Sequence, residues 1–146
     1  MTMLNKDASE IMRKYNVSGC TDVTGFGLAG HLSEMLSGND HYCAVINSES
    51  LPIIPEAYSG AGDFMITAGG QRNRKFVEKH IKFTFDDYAL EEVIFDPQTS
   101  GGLLMSVSKE DVKKVEAEMA KKFVPFKEIG FIQEKKPSDP VRIIVR

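Results

Sequence analysis

Apolar residues in this chain switch repeatedly between the period of an α-helix and the alternation of a β-strand, which confines it to folds that mix both elements. Leu4, Ala8, Ile11, Met12 and Tyr15 recur at helical intervals with Lys6, Asp7, Glu10 and Arg13 opposite, predicting an amphipathic helix that ends before Gly19. Leu28, Leu32, Met35 and Leu36 repeat the pattern, and Gly38-Asn39 supply a C-terminal stop. Tyr42 to Ile46 reads as a mostly buried strand, and Leu51-Pro-Ile-Ile-Pro55 as an extended connection, because a proline biases the residue before it away from helix. Glu56 to Met65 is open between helix and loop. Gly60, Gly62, Gly69 and Gly70 make the centre of the chain loop-like, with Gln71 to Lys75 exposed.

Further on, Ile81, Phe83 and Phe85 alternate as in a half-solvated strand, Val93 to Phe95 reads as a short strand, and Leu103 to Val107 as another. Ser108-Lys-Glu-Asp111 resembles a capping box before a helix with Val112, Val115, Met119 and Phe123 on its apolar face and Lys113, Lys114, Lys121 and Lys122 on its wet side. Phe126 to Ile132 and Val141 to Val145 are two closing strands joined by a turn around Pro137 to Pro140. Interspersed helices and hairpin-forming strands predict an α+β fold with helices layered on one sheet, and argue against a doubly wound parallel sheet. At 146 residues the chain is expected to form one domain, 1–146, able to bury roughly two thirds of its unfolded surface.

A net charge of −3 gives no electrostatic reason to expect nucleic acid or an anionic membrane as a partner. Cys20 and Cys43 have no C-x-x-C spacing, so neither a disulfide framework nor a structural zinc site is indicated, and a reducing cytoplasm is the expected compartment. Neither a signal-peptide core in Met1 to Lys6 nor a membrane span later in the chain is apparent, so a soluble protein is expected.

Chemistry concentrates in two segments, Cys20-Thr-Asp-Val-Thr-Gly-Phe-Gly-Leu-Ala-Gly-His31 and Asp96-Pro-Gln-Thr-Ser-Gly-Gly102. Each sets a carboxylate and hydroxyls beside glycines, just before an apolar run. Glycine allows close backbone approach, hydroxyls and amides donate to phosphate oxygens, and an aspartate can hold magnesium, so the combination suits a metal–nucleotide site. Simpler roles fit too. Asp22 suits a turn or cap, Thr21, Thr24, Gly25, Phe26 and Gly27 a tight helix entry, and Asp96-Pro97 with Thr99, Ser100, Gly101 and Gly102 a polar turn. No G-x-x-x-x-G-K-[ST] motif occurs. Cys20 has no local partner base other than His31 and reads as a small buried hydrophobe, while His31, His41 and His80 lack ligand spacing. Arg72, Arg74 and Lys75 form a basic cluster, either a solvated face or a phosphate contact.

Thr21 to His31, Phe95 to Leu104 and the intervening Gly69-Gly-Gln-Arg-Asn73 resemble the signature stretches of the C-terminal half of selenophosphate synthetases (selenide, water dikinases), relatives of aminoimidazole ribonucleotide synthetase. The resemblance implies a layered α/β domain around a mixed sheet with partial ferredoxin-like topology. It also implies ATP-dependent formation of selenophosphate from selenide and water, with AMP and phosphate as the other products. Mg²⁺ and ATP would be bound with help from Thr21, Asp22, Thr24, Gly25, Gly27, Arg72, Asn73, Asp96, Thr99, Ser100, Gly101 and Gly102, with Asp22 as the metal ligand. No catalytic residue is expected in this chain. The family's reactive Cys or selenocysteine and nearby Lys belong to an N-terminal domain without a counterpart here, through which the family mainly forms homodimers. Weaker alternatives are a thiamine-monophosphate kinase or hydrogenase-maturation domain, and a non-catalytic nucleotide-binding or assembly module.

Overall fold

Burial of Cys43, Ala44, Val45 and Ile46 makes the strand Tyr42–Ile46 one of the two inner strands of the main sheet. In the computed structural model, which describes residues 3–146, the elements in chain order are α1 (Lys6–Met12), β1 (Val17–Asp22), α2 (Gly27–Met35), β2 (Tyr42–Ile46), a 3₁₀ turn (Ser48–Ser50), α3 (Pro55–Gly62), α4 (Ala68–Val77), β3 (Ile81–Phe83), α5 (Tyr88–Phe95), β4 (Leu103–Val107), α6 (Val112–Lys121), β5 (Gly130–Glu134) and β6 (Ile143–Val145). Met1 and Thr2 of the N-terminal segment lie outside the described residues.

The expected mixed sheet is present, with strand order β3-β6-β2-β5. β2 runs antiparallel to β5 and parallel to β6, and β6 runs parallel to β3. Its core joins Ala44, Ile46, Ile143 and Val145 to Leu32 and Leu36 of α2, Val77 of α4, and Leu90, Ile94 and Phe95 of α5. A separate antiparallel ribbon of β1 and β4 was not anticipated. Leu103, Met105 and Val107 of this ribbon pack on a cluster of Ala8 and Ile11 from α1 and Val115 and Met119 from α6. From the other side, the Met35 side chain of α2 lies against Gly19. Lys14 to Glu118 (2.6 Å) and Lys122 to Asp7 (3.0 Å) and Glu10 (3.2 Å) tie α1 to α6, contacts that are individually weak because water screens them.

Several expectations need correction. Val93 to Phe95 closes helix α5 and is not a strand, since a short apolar run has no periodicity to separate the two; Asp87 caps this helix by accepting from the Leu90 amide at 3.0 Å. The loop-like centre is the helix pair α3 and α4, and Asn73, expected to be exposed, is buried. Consecutive strands do not pair among the described residues, so the hairpins are absent: β5 and β6 both pair with β2, and β5 begins at Gly130, later than Phe126. Leu4 is exposed, and Phe123 lies beyond the end of α6 with φ 56° and its ring in solvent. The capping box does not form as expected, because Asp111 is itself the N-cap and its carboxylate accepts from the Asn16 amide (3.1 Å). No helix among the described residues is long and apolar enough to cross a membrane.

Candidate functional site

The two glycine segments meet where the β1–β4 ribbon ends. Asp22 pairs with Leu103 as the last rung. Beyond it the backbone contacts continue: the Val23 amide donates to Gly102 O (3.0 Å), the Gly101 amide to Val23 O (3.0 Å), and the Gln98 amide to Thr24 O (2.9 Å). Glycine is required here for two different reasons. A Cβ on Gly101 would lie 2.7 Å from Val23 O and 2.8 Å from Val23 Cβ, and Gly102 holds φ +82° with open space around it.

The third stretch, at the start of α4, completes the junction. Thr67 caps α4 by accepting from the Gly70 amide (2.9 Å) and donates its hydroxyl proton to Asp96 Oδ1 (2.7 Å). Gly69 faces Pro97 so closely that a Cβ would sit 2.5 Å from Pro97 Cγ. Asn73 Nδ2 donates to Gly25 O (3.0 Å) and to Phe95 O (2.9 Å). Gly27, with φ +67°, would place a Cβ 2.7 Å from the same Phe95 carbonyl, so the start of α2 is seated directly on the end of α5. Gly69–Asn73 and both glycine segments therefore converge.

Side chains at the junction divide into those the fold engages and those it leaves outside. Thr24 Oγ1 bonds His31 Nε2 at 3.1 Å, and the Phe26 amide donates to the same nitrogen at 3.4 Å. Because that amide can only donate, Nε2 is the acceptor, and the ring proton sits on Nδ1, which faces Glu34 at 3.2 Å. His31 thus orders the loop. Asp96 is engaged by Thr67, and Thr21 Oγ1 donates to Asp22 O at 3.2 Å. By contrast, the exposed Asp22, Thr99, Ser100 and Arg72 make no side-chain hydrogen bond among the described residues, and Gly25, three residues after Asp22, is exposed as well. The expected basic cluster is divided. Arg74 lies over the Phe95 ring at 4.7 Å and bonds Glu91 and Glu92 at 2.9 Å each, while Arg72 and Lys75 remain on the surface.

Sequence reasoning missed Thr67, although a hydroxyl just before Ala-Gly-Gly is a recognisable N-cap signal, and Gln98, whose amide carries one of the cross-links. It also missed the exposed Phe26–Phe76 pair, whose rings stack with centroids 6.3 Å apart beside the first segment. A cleft of about 300 Å³ opens next to the junction, walled by Glu56, Gly60, Met65, Thr67, Asp96 and Gln98.

No group of three or more His, Cys, Asp or Glu able to hold a metal forms among the described residues. Asp22 offers one unengaged carboxylate. That fits an ion such as Mg²⁺, which takes one or two protein carboxylates and completes its shell with water and phosphate oxygens. Cys20 beside it is not an activated thiol: partial burial and then the Asp22 carboxylate push its pKa up. Alkylation of Cys20 by iodoacetamide, followed by mass spectrometry, should therefore run slower than that of free cysteine, and Asp22→Asn should speed it. A reaction faster than free cysteine would mark Cys20 as a nucleophile after all.

Against known families, residues 1–141 match the model for AIR synthase related protein, C-terminal domain. The selenide, water dikinase of Agathobacter rectalis is 45% identical over 131 residues, covering 89% of this chain and 38% of that protein. The enzymes of the same name from Desulfitobacterium hafniense (46% over 107 residues, 73% of this chain and 31% of that protein) and Treponema denticola (44% over 120 residues, 82% and 34%) are similarly related. The chain thus spans well under half the length of these curated relatives.

Proposed function

This chain belongs to the AIR synthase related protein, C-terminal domain family, and from that premise we propose that it is the C-terminal domain, 1–146, of a two-domain selenophosphate synthetase. The whole enzyme would convert ATP, selenide and water to selenophosphate, AMP and phosphate in the cytoplasm, and would work as a homodimer formed mainly by its other domain. The observation that carries the reading is the backbone pairing of Val23 and Thr24 with Gln98, Gly101 and Gly102, which brings two distant hydroxyl- and glycine-rich segments to one edge.

Phosphoryl transfer needs mainly positioning and neutralisation of charge. Asp22 would hold Mg²⁺, which when bound offsets charge on the transferring phosphoryl group. Thr99, Ser100 and the Gly25 amide supply further donors along the same edge, and Gly101 holds that edge in place through its amide bond to Val23 O. The first turn of α2 has no side-chain cap and no acidic residue, but its Gly27 amide donates to Thr24 O at 3.0 Å, so any helix-end contribution to holding a phosphate falls to the Leu28 and Ala29 amides. Arg72 and Thr21 add a charge and a hydroxyl on the periphery, whereas Thr24, Gly27, Asn73, Asp96 and Gly102 shape the loops. The exposed Phe26–Phe76 stack suits a contact with the other domain.

The test is ³¹P NMR and AMP detection with the whole enzyme and with this chain alone. The whole enzyme should form selenophosphate and AMP only when ATP, selenide and magnesium are all present, and the 146-residue chain should form neither. ATP consumption by the whole enzyme that ignores selenide would refute the assignment; turnover by the chain alone would refute the division of labour.

A further inference from the structure

We propose that Asn73 is a positioning residue that clamps the two glycine segments into one binding edge, an inference that rests on the functional reading above for its catalytic consequence but not for its structural one. Its side chain is buried at 7% residue exposure, deep enough that its amide protons must find partners within the fold. Both go to backbone carbonyls on different segments: Gly25 O in the loop before α2, and Phe95 O immediately ahead of Asp96. Phe95 O is one of the carbonyls that the end of helix α5 leaves without an intrahelical donor, and Gly25 O lies in a loop.

The position of the clamp makes its effect local. Asn73 stands on α4, whose first turn is already attached to the second segment through Thr67 to Asp96 and Gly69 against Pro97. Through Gly25, Asn73 draws the first segment onto the same helix. The cross-links at Val23, Thr24, Gln98 and Gly101 then depend on the clamp for their register. An aspartate of the same size would face two carbonyl oxygens with a carboxylate and no donor, so Asn73→Asp is the sharp probe. Asn73→Ser, which keeps one donor, is the milder one.

Amide hydrogen exchange on the 146-residue chain tests the clamp. In the wild type the Asn73 side-chain amide protons should be protected, and free exchange of those protons overturns the proposal whatever the variants do. In the variants the amides of Val23, Gln98 and Gly101 should exchange about tenfold faster, while those of Ala44 and Ile143 in the main sheet change by less than about twofold. Equal acceleration of both sets would make Asn73 an ordinary stability residue, and no acceleration at the junction would remove the clamp; either overturns the proposal. If Asn73→Asp does not fold, Asn73→Ser is read in the same way. In the whole enzyme the variant that folds should raise KM for ATP about tenfold with kcat within about threefold of wild type, and an unchanged KM would overturn the positioning role. A wild-type whole enzyme without selenide-dependent turnover would defeat the functional reading alone, and the exchange pattern would still decide on Asn73.

Discussion

Asn in place of Asp22 should lower the selenide-dependent turnover of the whole enzyme by about a hundredfold or more while leaving its melting temperature nearly unchanged, the usual scale for losing one well-placed electrostatic contact. The asymmetry follows from the carboxylate's surroundings. Asp22 is exposed, and its side chain takes no hydrogen bond or ion pair among the described residues, so the fold gives up nothing when the charge goes. What is lost is a fixed negative charge for a divalent cation, at nearly constant volume. Turnover at different magnesium concentrations, set beside thermal melting, separates the two effects. Wild-type activity with unchanged magnesium dependence would reduce Asp22 to the last residue of a ribbon.

Gly101→Ala should cost the chain about 3 kcal/mol, an overpacking penalty equivalent to roughly 10 °C in melting temperature for a domain of this size. The added methyl would sit 2.7 Å from Val23 O, a backbone atom held in the ribbon's continuation that cannot step aside as a flexible side chain would. Gly102→Ala should cost less, about 1 to 2 kcal/mol, because its penalty is the positive φ alone and no atom lies within contact distance of the new Cβ. Differential scanning calorimetry of the two variants ranks them. The reverse order would mean that the segments do not approach as closely as the pairing of Val23 with Gly101 requires. The same substitutions in the whole enzyme should reduce ATP-dependent activity beyond what their melting temperatures explain, because both residues shape the proposed phosphate edge.

Legibility in the sequence followed the locality of each signal. β2 and β4 were found at their observed limits, and α2 with its stop at Gly38, because apolar alternation and amphipathic spacing are properties of neighbouring residues. β1 escaped notice since Ser18, Gly19 and Thr21 carry no apolar alternation; its strand character comes from pairing with β4. The glycines of α3 and α4 suggested loops, yet helix wins there because the absence of Cβ atoms lets Gly69 meet Pro97 and Gly60 meet Met65, contacts that offset the intrinsic cost of glycine in a helix. Asn73 and Arg74 look like surface residues in any local window. Their burial depends on carbonyls and carboxylates from α5, some twenty positions away, that reach them only in the folded chain.

The sequence by itself determined the mixture of helices and strands and the chemical character of the two glycine segments, since each is written in residue types over short stretches; the mixed sheet followed only from the family those segments resemble. Tertiary structure alone decided that those segments lie side by side, that Asp22 is left unengaged while Asp96 and Thr24 are tied down, and that Asn73 links the two. The reason is physical: hydrogen bonds between Val23 and Gly101 or between Asn73 and Gly25 join residues far apart in the chain, and closing such loops is compensated only by packing of the whole domain, which no local pattern records.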